Sequence, residues 1–200
     1  LPVYVDSAYE ITGLASFESR LYAGRGSNDN YLTSTNGTTW SDPTTNSGNN
    51  RLASFFAVVK NARGDWALMK ARANQISLAV VPTDTLNWGA EIQVGDPDRN
   101  VTSLTSAAGT AYVGREDGLF VYNEHTNLFS DVEPDANFFA SAKNFKSAIG
   151  RGGALWASGG EQTFWTASPT GVGAHHDWEN LSHLVQSNAY AGFGGHVSAL

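Results

Sequence analysis

An all-β fold built from about four repeated units is what the sequence predicts, and three observations carry it. The first is composition: 21 Gly, abundant Asn, Thr and Ser, and short apolar runs read as brief strands joined by frequent turns. The second is a gapless repeat. Leu14 precedes Tyr22 by eight residues in GLASFESRLYAG, and Val58 precedes Trp66 by eight in AVVKNARGDWAL. Leu104 and Tyr112 in SLTSAAGTAYVG, and Ala148 and Trp156 in SAIGRGGALWAS, keep the same spacing. The third is the period. These aromatics fall 44, 46 and 44 residues apart, and a period of about 40 to 50 residues in strand-type sequence is that of β-propeller blades.

Each element follows in order. A unit opens with an apolar strand, a polar or Gly-containing turn, and a second strand whose aromatic is followed by small residues. Third strands are predicted at 31–33, 76–81, 119–122 and 163–166. Each unit then reaches an aromatic with Asn, Thr or Asp one or two residues before it: Trp40 in TTW, Trp88 in LNW, Phe129 in NLF and Trp178 in HDW. The blades are placed at about 11–50, 51–98, 99–140 and 141–190. HVSAL at 196–200 reads as the start of a further blade, because it matches VTSL at 101–104 and ITGL at 11–14, and VYVDS reads as the outer strand of a preceding one. The whole chain is therefore expected to be a single propeller domain or fragment within a larger or incompletely closed ring, with a self-closed four-bladed ring as the alternative. Helical spacing of Phe138, Phe139, Ala142 and Phe145 predicts one short helix over 135–150, and ENLSHLVQ one helical turn.

Composition excludes several function classes. With 41% hydrophobic and 12% aromatic residues over 200 positions, such a chain buries roughly 70% of its unfolded surface. Twelve basic against 19 acidic side chains leave a formal charge of −7, and the basic residues are scattered singly. A nucleic-acid backbone and an anionic membrane surface are both disfavoured by that electrostatics. No apolar run approaches the ~18–20 residues of a membrane-spanning helix, and LPVYVDSAYE has neither a basic region nor an apolar core of a signal peptide. The chain begins without Met and is read as a processed product or a piece of something longer. The absence of Cys removes disulfides, thiolate nucleophiles and Cys-ligated zinc together, so packing alone must hold the fold.

TSTNGTTW, residues 33–40, resembles the Asp-box of sialidases and related propellers, written Ser/Thr-x-Asp-x-Gly-x-Thr-Trp. Thr33, Gly37, Thr39 and Trp40 are in register, and Thr35 stands where the Asp belongs. The resemblance implies a structural turn between the outer strands of a blade, with Gly37 at positive φ and Trp40 packing between sheets. GTAYVGREDGLFVYNEHT, from 109 to 126, resembles the repeat unit of extracellular and regulatory propellers. Sialidase chemistry implies three carboxylate-binding arginines, a Tyr/Glu pair and an Asp acid. The family's Arg-Ile-Pro motif is absent, so no catalytic residue is carried over. In style, the Asn/Thr/Gly-rich units also resemble propeller modules of phage virion and tail proteins.

Candidate chemistry is sparse. HHDWENLSH concentrates His175, His176, Asp177, Glu179 and His183, residue types suited to zinc or another borderline metal. Their spacing matches no closed site, which favours a solvated loop. GDPDRN places Asp96, Asp98 and Asn100 at alternate positions, as in a calcium loop, yet lacks the following Gly and the closing Glu. A turn set by Pro97 is the simpler reading. Glu116 and Asp117 are adjacent and point apart on a strand or turn. There is no Gly-x-Ser-x-Gly elbow, and GRGSND and GRGG lack the Lys of a phosphate cradle. Sequons stand at Asn36, Asn100 and Asn180. Trp40, Trp88 and Trp178 are candidates for stacking on glycans, although recurrence at the blade period favours packing.

The expected function is a non-enzymatic scaffold or interaction module in an extracellular or virion-type assembly. Its partners would be other subunits or the remainder of a larger chain, and glycans, with no nucleic acid and no membrane insertion. A carbohydrate-binding or sialidase-like propeller is the alternative.

Overall fold

Tight hairpins set the register. The computed structural model of the protein describes residues 10–43, 48–81, 87–132, 145–151, 154–159, 162–166 and 179–180. The strands of the first half are β1 (Gly13–Phe17), β2 (Arg20–Gly24), β3 (Gly26–Asn30), β4 (Leu32–Ser34), β5 (Leu52–Ala53), β6 (Phe55–Lys60), β7 (Trp66–Arg72), β8 (Gln75–Val81), β9 (Asn87–Trp88) and β10 (Ile92–Gln93). Those of the second half are β11 (Val101–Ala107), β12 (Thr110–Arg115), β13 (Leu119–Asn123), β14 (Leu128–Asp131), β15 (Phe145–Arg151), β16 (Ala154–Gly159), β17 (Gln162–Thr166) and β18 (Glu179–Asn180). One 3-10 turn, Gly48–Arg51, completes the described elements. The chain divides into two units, Leu1–Gln93 and Val94–Leu200.

In the first unit, β1, β2 and β4 form an antiparallel sheet, and Ser41 bridges Thr33 where a fourth strand would lie. The second sheet runs β6, β7, β8, and its outer edge is split: β9 pairs with β8 at Ala79 and Val81, and β10 at Gln75 and Ile76. A two-stranded ribbon joins β3 to β5, and β1 lies against β6. In the second unit, β11 to β14 and β15 to β18 are two four-stranded meanders with every adjacent pair antiparallel, and β11 lies against β15. First strand beside first strand in successive meanders is the arrangement of propeller blades.

Phe17 pairs with Arg20, leaving Glu18 at φ 47° and Ser19 at φ 61° as the turn. Ala107 pairs with Thr110 across Ala108 at 53° and Gly109 at 90°. Positive φ at both central positions gives the turn whose twist matches that of the strands. The residue third from the turn on the second strand is then Tyr22 opposite Ala15, Tyr112 opposite Thr105 and Trp156 opposite Ile149, and Tyr22 and Tyr112 are buried. The second sheet departs from the gapless repeat. Lys60 pairs with Trp66 across the longer turn 61–65, so the equivalent position is Leu68, opposite Val58. Leu68 is fully buried, whereas Trp66 is 56% exposed. The extra turn residues displace Trp66 to the rim.

Packing follows from this register. In the first unit Tyr22, Tyr31, Phe56, Leu68 and Trp88 belong to one buried cluster. Tyr31 meets Phe56 edge-on at 5.3 Å and Trp88 at 6.2 Å between ring centroids. A Cβ on Gly24 would sit 1.9 Å from the Ser54 carbonyl oxygen, so only glycine lets β2 approach the start of β6. In the second unit Tyr112, Leu119 and Val121 pack with Leu155 and Ala157 of β16.

The helix expected over 135–150 is corrected where it is described: 145–150 lies in β15, whose ladder to β16 runs from Phe145↔Gly159 to Arg151↔Ala154. Cross-strand hydrogen bonds and a neighbouring meander outweigh the local periodicity. Glu179 and Asn180 are likewise strand, paired with β17, rather than part of a helical turn. Residues 135–144, the rest of ENLSHLVQ, VYVDS and HVSAL lie outside the described residues.

Leu68→Ala is expected to lower unfolding free energy by about 2–5 kcal/mol. Trp66→Ala is expected to change it by under about 1 kcal/mol in the same urea titration, since the residue is surface-exposed.

Candidate functional site

Asparagine side chains shape the turns that present polar groups. After β4, the Asn36 Oδ1 accepts the Thr38 and Thr39 amides, both at 2.9 Å, and Ser34 Oγ accepts the Gly37 amide at 2.8 Å. Gly37 takes φ 73°, and the Trp40 indole donates to its carbonyl at 3.2 Å. Trp40 is half-buried. The sequence pattern had put the acceptor position at Thr35, but the side chain that gathers the amides is one residue later. The same device follows the third strand of the next unit, where Asn123 Oδ1 accepts the His125 and Thr126 amides at 3.0 and 3.2 Å. An Asn at the exit of a third strand with Thr two or three residues on was the readable signal.

The second polar cluster joins GDPDRN to the β12–β13 turn. Arg115, at the end of β12, is fully buried. Its guanidinium grips Asp117 through two bonds of 2.8 and 2.9 Å, donates to the Asp96 carbonyl at 2.6 Å, and lies 5.3 Å from the Phe120 ring centroid. Arg99 pairs with Glu116 at 2.8 Å on the surface. Asp96 Oδ1 accepts the Asp98 amide at 3.0 Å, so the alternating Asp96, Asp98 and Asn100 build a turn. With the Asp96 Oδ1 capping that turn and the Asp96 backbone carbonyl bonded to the Arg115 guanidinium, calcium would have to enter against Arg115 and Arg99. Among the described residues no three His, Cys, Asp or Glu side chains are placed to hold a metal.

Lys70 is the third. Its side chain lies in the interior at 2% exposure, donates to the Asn50 and Leu52 carbonyls at 3.1 and 2.9 Å, and sits 4.9 Å from the Trp88 ring centroid. It therefore ties the segment carrying β5 to the second sheet. Burial pushes its pKa down to about 7, with Glu91 opposing the shift and Arg72 adding to it.

Of the aromatics expected to stack on glycans, Trp88 is corrected: it is buried, between Tyr31, Phe56 and Lys70, and offers no face to a ligand. Trp178, His175, His176, Asp177 and His183 lie outside the described residues, and Glu179 is in β18. Sequence reasoning missed Lys70, Arg115 and the exposure of Trp66. Arg115 follows a strand pattern that gives no sign of burial, and Lys70 is flanked by apolar residues that do.

Asn36→Ala is expected to cost about 1–2 kcal/mol for two lost acceptor bonds, and Asn36→Asp under about 0.5 kcal/mol, read as shifts of the urea midpoint. For Lys70 the unfolded chain holds more protons than the folded one between pH about 7 and 10.5, so stability should rise with pH across that window and be flat below it. Lys70→Met should abolish that rise in calorimetric melts taken from pH 6 to pH 10.

No protein-family model matches the chain, and no curated protein matches it in sequence. Solved structures do. Selenomethionine-substituted virginiamycin B lyase from Staphylococcus aureus is similar at TM-score 0.55 and 11% identity, covering 85% of this chain and 54% of the lyase. The extracellular domain of the one-component system BT4673 from B. thetaiotaomicron gives TM-score 0.55 at 17% identity, covering 86% of this chain and 22% of that one. YCF48 bound to D1 peptide gives 0.54 at 15%, covering 88% and 55%. The chain thus spans little more than half the length of the lyase and of YCF48, and less of BT4673. At such identities the likeness speaks for architecture alone, and with the antiparallel meanders it establishes an all-β protein of the β-propeller fold.

Proposed function

We propose that the chain is a non-enzymatic propeller scaffold or interaction module within a larger extracellular or virion-type assembly, of the phage-tail kind. The observation that carries this reading is apolar surface on the first strand of the first sheet. Leu14 in β1 keeps 69% of its surface in solvent, and Ile11, just before the strand, keeps 37%. Burying a side chain like Leu14 releases about 2 kcal/mol, so such a strand favours a protein neighbour, either another subunit or the remainder of a longer chain. The polar groups with the most contacts are committed to structure: Asn36, Asn61 and Asn123 shape turns, and Arg72–Glu91 at 2.8 Å closes the edge of the second sheet. The peptide complex of YCF48 is a property of that protein, and it supports protein recognition as a use of this architecture. The turn at 33–40 is read as a degenerate Asp-box in which the Asn36 carboxamide takes the carboxylate's place.

A carbohydrate-binding or sialidase-like module is the second reading, favoured by the half-buried Trp40 and the exposed Trp66. Among the described residues no helix is long and apolar enough to cross a membrane.

A photo-crosslinking residue placed at position 14 is expected to yield a covalent adduct with another polypeptide in cells making the protein. The same label at Leu128, 58% exposed on β14, is expected to yield little. Equal yields at the two positions, or none at 14, would contradict the proposal.

A further inference from the structure

We infer that Trp66 and Lys60 form a stacking site for an anionic carbohydrate, a sugar bearing a carboxylate or sulfate. The inference rests on the second, carbohydrate-binding reading and does not need the scaffold reading. Trp66 opens β7 and is 56% exposed, an unusual position for the largest apolar side chain. The fold does not need it there, since Leu68 fills the inner position of this hairpin.

The platform is held before any ligand arrives. Asn61 Oδ1 accepts the Arg63 and Asp65 amides at 2.9 and 3.0 Å, the Asn61 amide donates to the Asp65 carbonyl at 2.9 Å, and the Gly64 amide donates to the Asn61 carbonyl at 2.9 Å. A turn so closed loses little conformational freedom on binding. Gly64 sits at φ 82°, and a Cβ built on it meets nothing within 4 Å, so the approach over the turn is open.

The chemistry of the rim selects the occupant. Lys60 Nζ stands 5.4 Å from the Trp66 ring centroid, which places a positive charge beside an aromatic face. Exposed Arg63 adds a second cation, and exposed Asp65 is the turn's one acid. The balance is positive on a chain whose formal charge is −7. A protein partner would call for a wider apolar patch. Among the described residues, the other exposed large apolar side chains, Ile11, Leu14 and Leu128, belong to β1, its approach and β14 rather than to this turn. One indole among cations and backbone turns fits a sugar ring whose C–H face lies on the aromatic while its acidic group meets Lys60 or Arg63.

The test is calorimetric titration of the chain with trigalacturonate and a heparin-derived tetrasaccharide, with maltotriose as the neutral control. At least one acidic probe is expected to bind at millimolar or better affinity, weakened about tenfold by Trp66→Ala and by Lys60→Gln and retained in Trp66→Phe. Maltotriose is expected to bind more weakly than the acidic probe. Absence of binding by both acidic probes overturns the site. Acidic-sugar binding that Trp66→Ala leaves unchanged overturns the site while leaving the carbohydrate reading standing elsewhere on the chain.

Discussion

Face-to-face packing of neighbouring sheets within each unit, centred on Tyr22 and Leu68 in the first and on Tyr112 in the second, is the constraint on which the other features depend. In the first unit Tyr22 lies 5.6 Å from Phe56, which lies 6.3 Å from Trp88, so one ring from each of three strands meets in a single cluster. Tilted and edge-on pairs of this kind add roughly 0.5–1.5 kcal/mol each beyond the area they bury. In the second unit Tyr112 with Leu155 and Ala157 fills the same role. With no Cys in the sequence, no covalent tie substitutes for this contact. Its geometry also dictates where glycine is needed: β2 meets the carbonyl of Ser54 at Gly24, and the φ of 90° at Gly109 closes the β11–β12 hairpin.

Buried charge does structural work around that core. Lys70 and Arg115 are each sealed in the interior, and each donates to backbone carbonyls of a short connecting segment: Asn50 in the 3-10 turn and Leu52 in β5 in one case, Asp96 in the turn before β11 in the other. A buried cation is tolerated when its hydrogens are met and an aromatic face or a carboxylate shares its charge. Trp88 does this for Lys70, and Phe120 with Asp117 for Arg115, whose Nε and Nη2 are bonded while its buried Nη1 has no hydrogen-bond partner. Their partners mark Lys70 and Arg115 as staples that fix those connecting segments.

The strand order was legible because it rests on local information: short apolar runs, turn residues, and a period that brings Tyr22, Tyr112 and Trp156 to one position in their hairpins. The second sheet was misaligned because a gapless comparison cannot see that NARGD is a longer turn. The aromatic that matched in sequence, Trp66, was thereby exchanged with Leu68. The strand β15 was masked by helical spacing, since pairing with β16 is nonlocal and leaves no trace in a window of that size. At the candidate sites, residue type was readable and partnership was not. Asp96 reads as a calcium ligand until Arg115, many residues away, takes its carbonyl, and Trp88 reads as a sugar platform until Tyr31 and Phe56 close over it.

The most direct test of the sheet-packing account is native-state hydrogen exchange resolved to single amides. If the inner packing positions carry the fold, the amides of Leu68 and Met69 in β7 and of Tyr112 and Val113 in β12 should exchange only through global unfolding. Those of β9, β10 and β14 should open locally at lower free energy. Exchange from β7 and β12 as fast as from the outer strands would contradict the account.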